Sequence, residues 1–578
     1  MVRARQMRRE RVLADARLIV FGAGAVVAWL AFREGTLSPG WLAIPTSLFL
    51  ILLFVHERAR RATRRADRAV DFYEKGVGRL EGRWSGTGEP GTRFLDPEHP
   101  YAADLDLFGV GSLFELLSTA RTKAGEDALA AWLMAPAPLD EIRARQAAIA
   151  ELRPRIDLRE DLAILGADVR AGIDPDALAD WGASPRVLSG RAIPMVGAFL
   201  SALAVAGLIG WAFFEAGPSP FFLAVIVLGA FAVWLGRRVR RVLAAVERRA
   251  SDLRLLAGLL ARLEREPCEA PRLRGLQEAL TSEGGTASNR ISKLAKLVHL
   301  VDTMKNQLFA PLGAILLWST QLAFAIEAWR ASSGRAIADW LAAAGSFEAL
   351  CSLASYSYEN PGDPFPELEA DGPLFIAEGV GHPLISPGRC VSNDLSLGGP
   401  LRVLVVSGSN MSGKSTLLRT VGINAVLALA GAPVRAHRLR ISPMAIGATL
   451  RIQDSLQAGR SRFFAEITRL RQLVDLAKGP LPLLFLLDEI LNGTNSHDRR
   501  VGAESLLRGL IGLGAVGLVT THDLALAEIA DGIEAGAENV HFADHFEDGT
   551  MHFDHRMRPG VVRHSNALAL MRAVGLDV

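Results

Sequence analysis

Residues 401–422 read LRVLVVSGSNMSGKSTLLRTVG. Leu401 to Ser407 is a short, valine-rich apolar run, the pattern of a parallel strand buried on both faces. It leads directly into Gly408-Ser409-Asn410-Met411-Ser412-Gly413-Lys414-Ser415-Thr416 and then into a helical run. This is GxxxxGK[ST] in the strand–loop–helix setting that gives the motif its meaning. Its glycines let the loop wrap so that backbone N–H groups and the helix N-terminus face phosphate oxygens. In that role Lys414 reaches the β- and γ-phosphates of ATP, and the Ser415 hydroxyl ligates Mg²⁺.

Downstream, Leu483 to Leu487 is an apolar strand that ends in Asp488-Glu489. Alone, two acids after a strand mark no more than a helix N-terminus. Behind a phosphate-binding loop they acquire roles: Asp488 holds Mg²⁺ through water, and Glu489 orients or deprotonates the attacking water. A third strand, Val516 to Thr521, delivers His522 to the same sheet edge, where it can sense the γ-phosphate. The expected fold of residues 366–578 is therefore an α/β P-loop ATPase domain, a parallel sheet with flanking helices.

Taken together, SGSNMSGKST, LDEILNGTNSHD and TTHD resemble, in order and spacing, the ATPase domain of the MutS family of DNA mismatch-repair proteins. Gly381-His382-Pro383-Leu384, Val391-Ser392-Asn393-Asp394 and the segment GRSRFFAE at 459–466 are similar to further family segments. Ser112 to about Leu162 and Gly345 to Pro366 resemble parts of the family's helical lever. The resemblance implies that Asn410 lies against the γ-phosphate and attacking water. It implies that Ser461 reaches the nucleotide of the other subunit of a homodimer, and that His555 lies on the adenine. Cys390 stands where the family carries an aromatic residue, and Leu491-Asn492 where it carries Gly-Arg. The Phe-x-Glu wedge that reads mismatches in the family is not found near the N-terminus, so mismatch specificity is not expected. Duplex or branched DNA is the implied partner.

Outside this domain the composition leans towards membranes. Half of the 578 residues are apolar and 22% are charged, with a mean hydropathy of +0.22. That excludes a disordered chain, and a net charge of +2 names no polyanion partner. Two apolar segments, 18–32 and 41–55, are joined at Ser38-Pro39-Gly40; two longer ones, 192–214 and 216–236, carry only Glu215 between them. All four are expected to span a bilayer as two hairpins, the first pair with help from snorkelling arginines. A cleavable signal peptide is the rival reading of 18–32, disfavoured because a second apolar segment follows at once.

Fifty-seven arginines against seven lysines set the topology. Arg3, Arg5, Arg8, Arg9 and Arg11 precede the first span, and Arg58, Arg60, Arg61, Arg64, Arg65 and Arg68 follow the second. Arg186 and Arg191 precede the third span, while Arg237, Arg238, Arg240 and Arg241 follow the fourth. By the positive-inside rule both termini and the ATPase domain face the cytoplasm, making a multi-pass protein of the cytoplasmic membrane. The uncharged stretch 306–326 is read instead as a buried helix of a soluble domain. Cys268, Cys351 and Cys390 form no paired motif and suggest neither disulfides nor zinc.

The expected organisation is a basic tail (1–16), hairpin (17–56), basic linker (57–103), all-α lever (104–185), second hairpin (186–241), second lever part (242–365) and ATPase domain. The favoured function is a membrane-anchored, dimeric MutS-like ATPase coupled to DNA. A nucleotide-controlled membrane scaffold without DNA binding stays open. An ABC-type transporter fits less well: RLRQLVDLAKGPLP before Asp488 contains no LSGGQ-like segment, and the spans hold no carboxylates to line a route.

Overall fold

The computed structural model describes the chain apart from residues 1, 171–173, 191, 248–249, 283–284, 304–309, 410, 452–461, 492–495, 523–535, 548–549 and 563–578. It is a mixed α/β structure in which helices predominate.

Helices α1 (Val2–Phe32) and α2 (Ala43–Leu80) pack as an antiparallel hairpin. Their apolar stretches touch little else: Phe32 is 73% exposed and Phe54 72%, values that make sense only for a surface turned towards a partner or a lipid phase. Both helices run on past the apolar segments, so residues 2–16 of the basic tail and the first half of the expected linker 57–103 are helical. At 1.5 Å per residue, α2 is about 57 Å long, well beyond a hydrocarbon core of about 30 Å. The extension docks on the lever rather than hanging free. Arg65 binds Asp161 at 2.8 Å, Arg68 donates to the Ile164 carbonyl, and Arg79 makes a two-pronged pair with Glu359 at 2.6 Å.

The lever begins with α3 (Leu113–Leu117), α4 (Lys123–Met134), α5 (Leu139–Leu152), α6 (Ile156–Arg170) and α7 (Pro175–Ala183). Local chemistry starts these helices. Ser112 accepts from Glu115 N, and the Glu115 carboxylate accepts in return from Gly88 N and Gly111 N. Thr122 caps α4, and Asp174 followed by Pro175 opens α7. The second hairpin, α8 (Ala192–Phe213) and α9 (Ser219–Glu247), follows. The lever resumes with α10 (Ala250–Arg265), α11 (Pro271–Ala279), the small hairpin β1 (Thr281–Ser282) and β2 (Gly285–Thr286), and α12 (Ala287–Thr303). It ends with α13 (Ala310–Ile315), α14 (Trp318–Ser333) and α15 (Ala336–Glu359).

By length and composition α1, α2, α8, α9 and α15 are each apolar enough to cross a membrane. In α15 the apolar window is 72% buried inside the fold, which makes it the lever's central core helix. The stretch 306–326 is not one buried helix. Its described part breaks at Leu317, a non-glycine residue with φ +47°, between α13 and α14. From Thr320 onward it is core, but Ile315 and Leu317 pack against the second hairpin beside Ala204 and Leu228.

Two sheets build the C-terminal domain. One has the order β3 (Glu367–Leu368), β7 (Arg438–Ile441), β4 (Leu374–Val380), β5 (Asn393–Gly398). The main sheet has the order β12 (Thr550–Pro559), β11 (Ala537–Glu547), β6 (Val403–Ser407), β10 (Val516–Thr521), β9 (Leu483–Asp488), β8 (Ala445–Thr449). All its pairings are parallel except β11 with β12. Strands β6 and β10 are buried along their whole length, sandwiched by α16 (Lys414–Ala430), α17 (Arg462–Ala477) and α18 (Ser496–Gly512).

The last six residues of the expected linker and the start of the expected lever, 98–107, belong to this domain. Asp104 is buried; its carboxylate accepts from Leu450 N and Arg451 N, both at 2.8 Å, and from Arg469 at 3.1 Å. Leu105 lies so close to α16 that a Cβ on Gly422 would come within 2.5 Å of it. A basic, turn-rich stretch reads as a linker because these partners lie more than 300 residues away. Asp104→Ala leaves two backbone N–H groups without an acceptor and removes the counter-charge of Arg469, and should destabilise the domain by about 3 kcal/mol. Asp104→Asn, which keeps one carbonyl oxygen, should cost less; chemical denaturation of the purified protein measures both.

Candidate functional site

The site lies at the carboxyl edge of the main sheet, where open α/β sheets bind ligands. Strand register assembles it. Thr520 of β10 pairs with Val406 of β6 on one side and with Asp488 of β9 on the other. The loop that follows β6 and the acids that end β9 therefore emerge at the same level.

The loop turns through Gly413, whose φ of +112° is costly for any other residue, and α16 starts at the next position. Lys414 is buried, and its ammonium donates to the Gly408 carbonyl at 2.8 Å and the Ser409 carbonyl at 2.9 Å. Burial pushes its pKa down, opposed by Glu489 and Asp488. The Glu489 carboxylate lies 3.9 Å from that ammonium and 3.3 Å from Nδ1 of His522. Lys414, Glu489 and His522 are thus one constellation. Ser415 is half-buried in the first turn of α16, Thr416 beside it is exposed, and Met411 projects outward, 84% exposed with φ +72°. Asn410 and Ser461 lie outside the described residues.

Two side chains whose contacts the sequence did not reveal fix the acids and the turn after them. Thr520 donates its hydroxyl to Asp488 and accepts from Glu489 N at 3.1 Å. Glu466 of α17, 1% exposed, accepts from Leu491 N. Glu489 and Leu491 both have positive φ, +48° and +59°, so the turn after β9 stores strain that these contacts hold in place. Thr520 stands inside TTHD and Glu466 ends GRSRFFAE, but only register and packing reveal what they touch. The buried face of α17 is Glu466, Leu470, Leu473 and Ala477, while Phe463 and Ile467 are exposed.

Beside the loop is a cavity of about 340 Å³ whose lining includes His382, Cys390, Asn393, Gly413, Thr416 and His555. His555 has φ +55°, and its Nδ1 lies 3.0 Å from the Ser412 carbonyl. Asn393 holds it there, donating to the His555 carbonyl at 3.1 Å and accepting from Met557 N at 2.7 Å. The Cys390 sulfur accepts from His382 N at 3.3 Å, closing the 382–390 loop over the cavity.

These residues fit a magnesium nucleotide. The Ser409 and Ser412 hydroxyls are buried with no hydrogen-bond partner among the described residues, in a loop lined by backbone N–H groups. A Cβ on Gly408 would lie 2.8 Å from the Ser412 hydroxyl, so only glycine leaves that cradle open. Ser415 and Asp488 are hard oxygen donors of the kind Mg²⁺ prefers. Among the described residues no cluster of three or more His, Cys, Asp or Glu side chains could hold another metal.

Residues 404–577 match the family model for MutS domain V. A DNA mismatch repair protein MutS of Natronomonas pharaonis is 32% identical over 243 residues, covering 40% of this chain and 27% of the relative. An Endonuclease MutS2 of Thermomicrobium roseum is 33% identical over 198 residues, covering 34% and 24%. A DNA mismatch repair protein MutS of an Exiguobacterium species is 36% identical over 186 residues, covering 31% and 22%. The chain thus spans about a quarter of the length of these relatives.

His382 gives the site a pH signature. Burial, with the Arg419 charge adding to it, lowers its pKa from 6.5 to about 4. The folded state therefore keeps it neutral where the unfolded chain protonates it. Its contribution is complete above pH 6.5 and is lost as the pH falls towards 4, by up to about 3 kcal/mol. In denaturation between pH 7 and 4, His382→Asn protein should lose correspondingly less stability than the wild type.

Proposed function

We propose that this chain, whose residues 404–577 match the family model for MutS domain V, binds and hydrolyses ATP at the carboxyl edge of its main sheet. The observation that carries the proposal is the convergence of Lys414, Glu489 and His522 on one point beside a base-sized cavity. The 408–416 backbone holds the phosphates of ATP, with Lys414 exchanging its carbonyl contacts for phosphate oxygens. Adenine occupies the cavity between the Cys390 loop and His555. Mg²⁺ held by Ser415 and Asp488 supplies positive charge against the phosphate oxygens when bound. Glu489, kept in place by Thr520, orients and deprotonates the attacking water; His522 and Asn410 face the γ-phosphate.

The chain works as a homodimer in which Ser461 completes the nucleotide site of the other subunit. The two helical hairpins anchor it in the cytoplasmic membrane with both termini and the ATPase domain in the cytoplasm. The direct coupling of α15 to the ATPase core supports a lever that moves with nucleotide state. Tyr356 donates to Asp363 at 2.9 Å, Asp363 pairs with Arg435 at 3.0 Å, and Arg435 N donates to Asn424 of the P-loop helix at 2.7 Å. The lever's output is binding of duplex or branched DNA.

One observation favours the second reading, a nucleotide-controlled membrane scaffold. Arg68 and Arg79 of the basic stalk are turned to the lever, which leaves fewer of the stalk's cations for phosphates.

Two variants test the ATPase. Lys414→Ala should weaken ATP binding by about ten- to a hundredfold, the loss of a charged hydrogen-bond donor. Glu489→Gln should leave ATP binding intact and lower turnover by about a hundredfold or more. Unchanged phosphate release in both would overturn the assignment. Fluorescence anisotropy with duplex and branched DNA across salt separates the two outputs: a DNA-coupled ATPase shows affinity falling steeply with salt, and a scaffold shows no binding at low salt.

A further inference from the structure

A second cavity, of about 380 Å³, lies far from the ATP site where the second hairpin meets the lever. One wall is the face of α9 that carries Leu228, Gly229 and Gly236; the other is the α13–α14 break at Leu317, with Thr320 beyond it. The packing holds these walls in place. Leu317 is buried against Ala204 and Leu228 in spite of its positive φ. Gln321 of α14 donates to the Pro194 carbonyl in the first turn of α8 at 3.1 Å. At Gly229 and Gly236 an added Cβ would meet nothing within 4 Å, so the groove is open along its α9 side.

Its length and its polarity both match a lipid. From Val225 to Arg240 the groove runs about 22 Å along the helix. Half of a hydrocarbon core plus one headgroup layer is about 20–22 Å. One end is apolar, and the other is Arg240, exposed among Arg237, Arg238 and Arg241. Among the described residues the Arg240 guanidinium contacts only the Gly236 carbonyl, at 3.3 Å, and has no carboxylate partner.

We propose that this groove binds an anionic phospholipid of the cytoplasmic leaflet, one acyl chain along α9 and the phosphate at Arg240. The proposal rests on reading α8 and α9 as a membrane hairpin with Arg240 on the cytoplasmic side. Because the far wall is lever helix α14, the bound lipid touches lever and hairpin at once and stabilises their docking.

The test uses the full-length protein, purified in detergent and supplied with phosphatidylglycerol or phosphatidylcholine, with retained lipid counted by native mass spectrometry. The wild type should retain phosphatidylglycerol in preference. Arg240→Gln should weaken phosphatidylglycerol binding by about fivefold, the worth of one basic residue at an anionic surface, and phosphatidylcholine, whose choline offsets its phosphate charge, by less. Gly229→Phe, which fills the groove, should reduce both, while Val233→Ala on an exposed face of α9 should change neither. Equal retention of the two lipids, or no loss in either groove variant, overturns the proposal. So does loss of a dimer in Gly229→Phe with lipid retention unchanged, since a second copy then fills the groove. Fractionation separates the two levels of failure. Recovery in the soluble fraction overturns the hairpin reading as well, whereas membrane recovery without a phosphatidylglycerol preference overturns the lipid site alone.

Discussion

The candidate site depends on the register in which β10 lies between β6 and β9. Thr520 pairs with Val406 and with Asp488 at once, which brings the loop holding Lys414 level with the acids that end β9. Its hydroxyl then binds both the Asp488 carboxylate and the Glu489 backbone N–H. Because side chains alternate along a strand, a slip of one residue would turn Thr520 away and carry His522 out of reach of Glu489. The strained turn at Glu489 and Leu491 can persist only while Thr520 and Glu466 hold it from two sides.

From that edge a chain of hydrogen bonds continues into the lever. Asn424, fully buried in α16, ties together the Gly381 carbonyl, the Thr420 carbonyl and Arg435 N. Asp363 then joins Arg435 to Tyr356 of α15; burial raises its pKa, and Arg435 and Tyr356 oppose that rise. A half-satisfied buried network of this kind is costly, so these contacts tie the end of α15 to the P-loop helix. On the opposite side, 98–107 buttresses α16 and α17 through Asp104 and Leu105. Asp161 of α6 receives both Arg65 of the α2 stalk and Arg262 of α10, so the first hairpin meets both halves of the lever there.

What the sequence made legible was local. The loop 408–416 and the acids 488–489 could be read because each motif is contiguous and has a strand before it, and long uncharged apolar runs marked the hairpins. Contacts across long separations stayed hidden. Nothing near Asp104 points to Leu450, and a run of arginines gives no sign that α2 will continue as a helix to Leu80 and dock on α6. The 306–326 stretch looked like one apolar helix because its break falls at Leu317, a residue that ordinarily avoids positive φ. His555 could be placed only by resemblance; the cavity and the Asn393 contacts supply its surroundings.

Hydrogen exchange on the full-length protein with and without Mg-ATP tests the central claim most directly. The account predicts that ATP protects amides in three separated segments together, 408–416, 382–391 and the peptide containing His555, because one nucleotide spans all three. Protection confined to one of these segments, or no change in any of them, would contradict it.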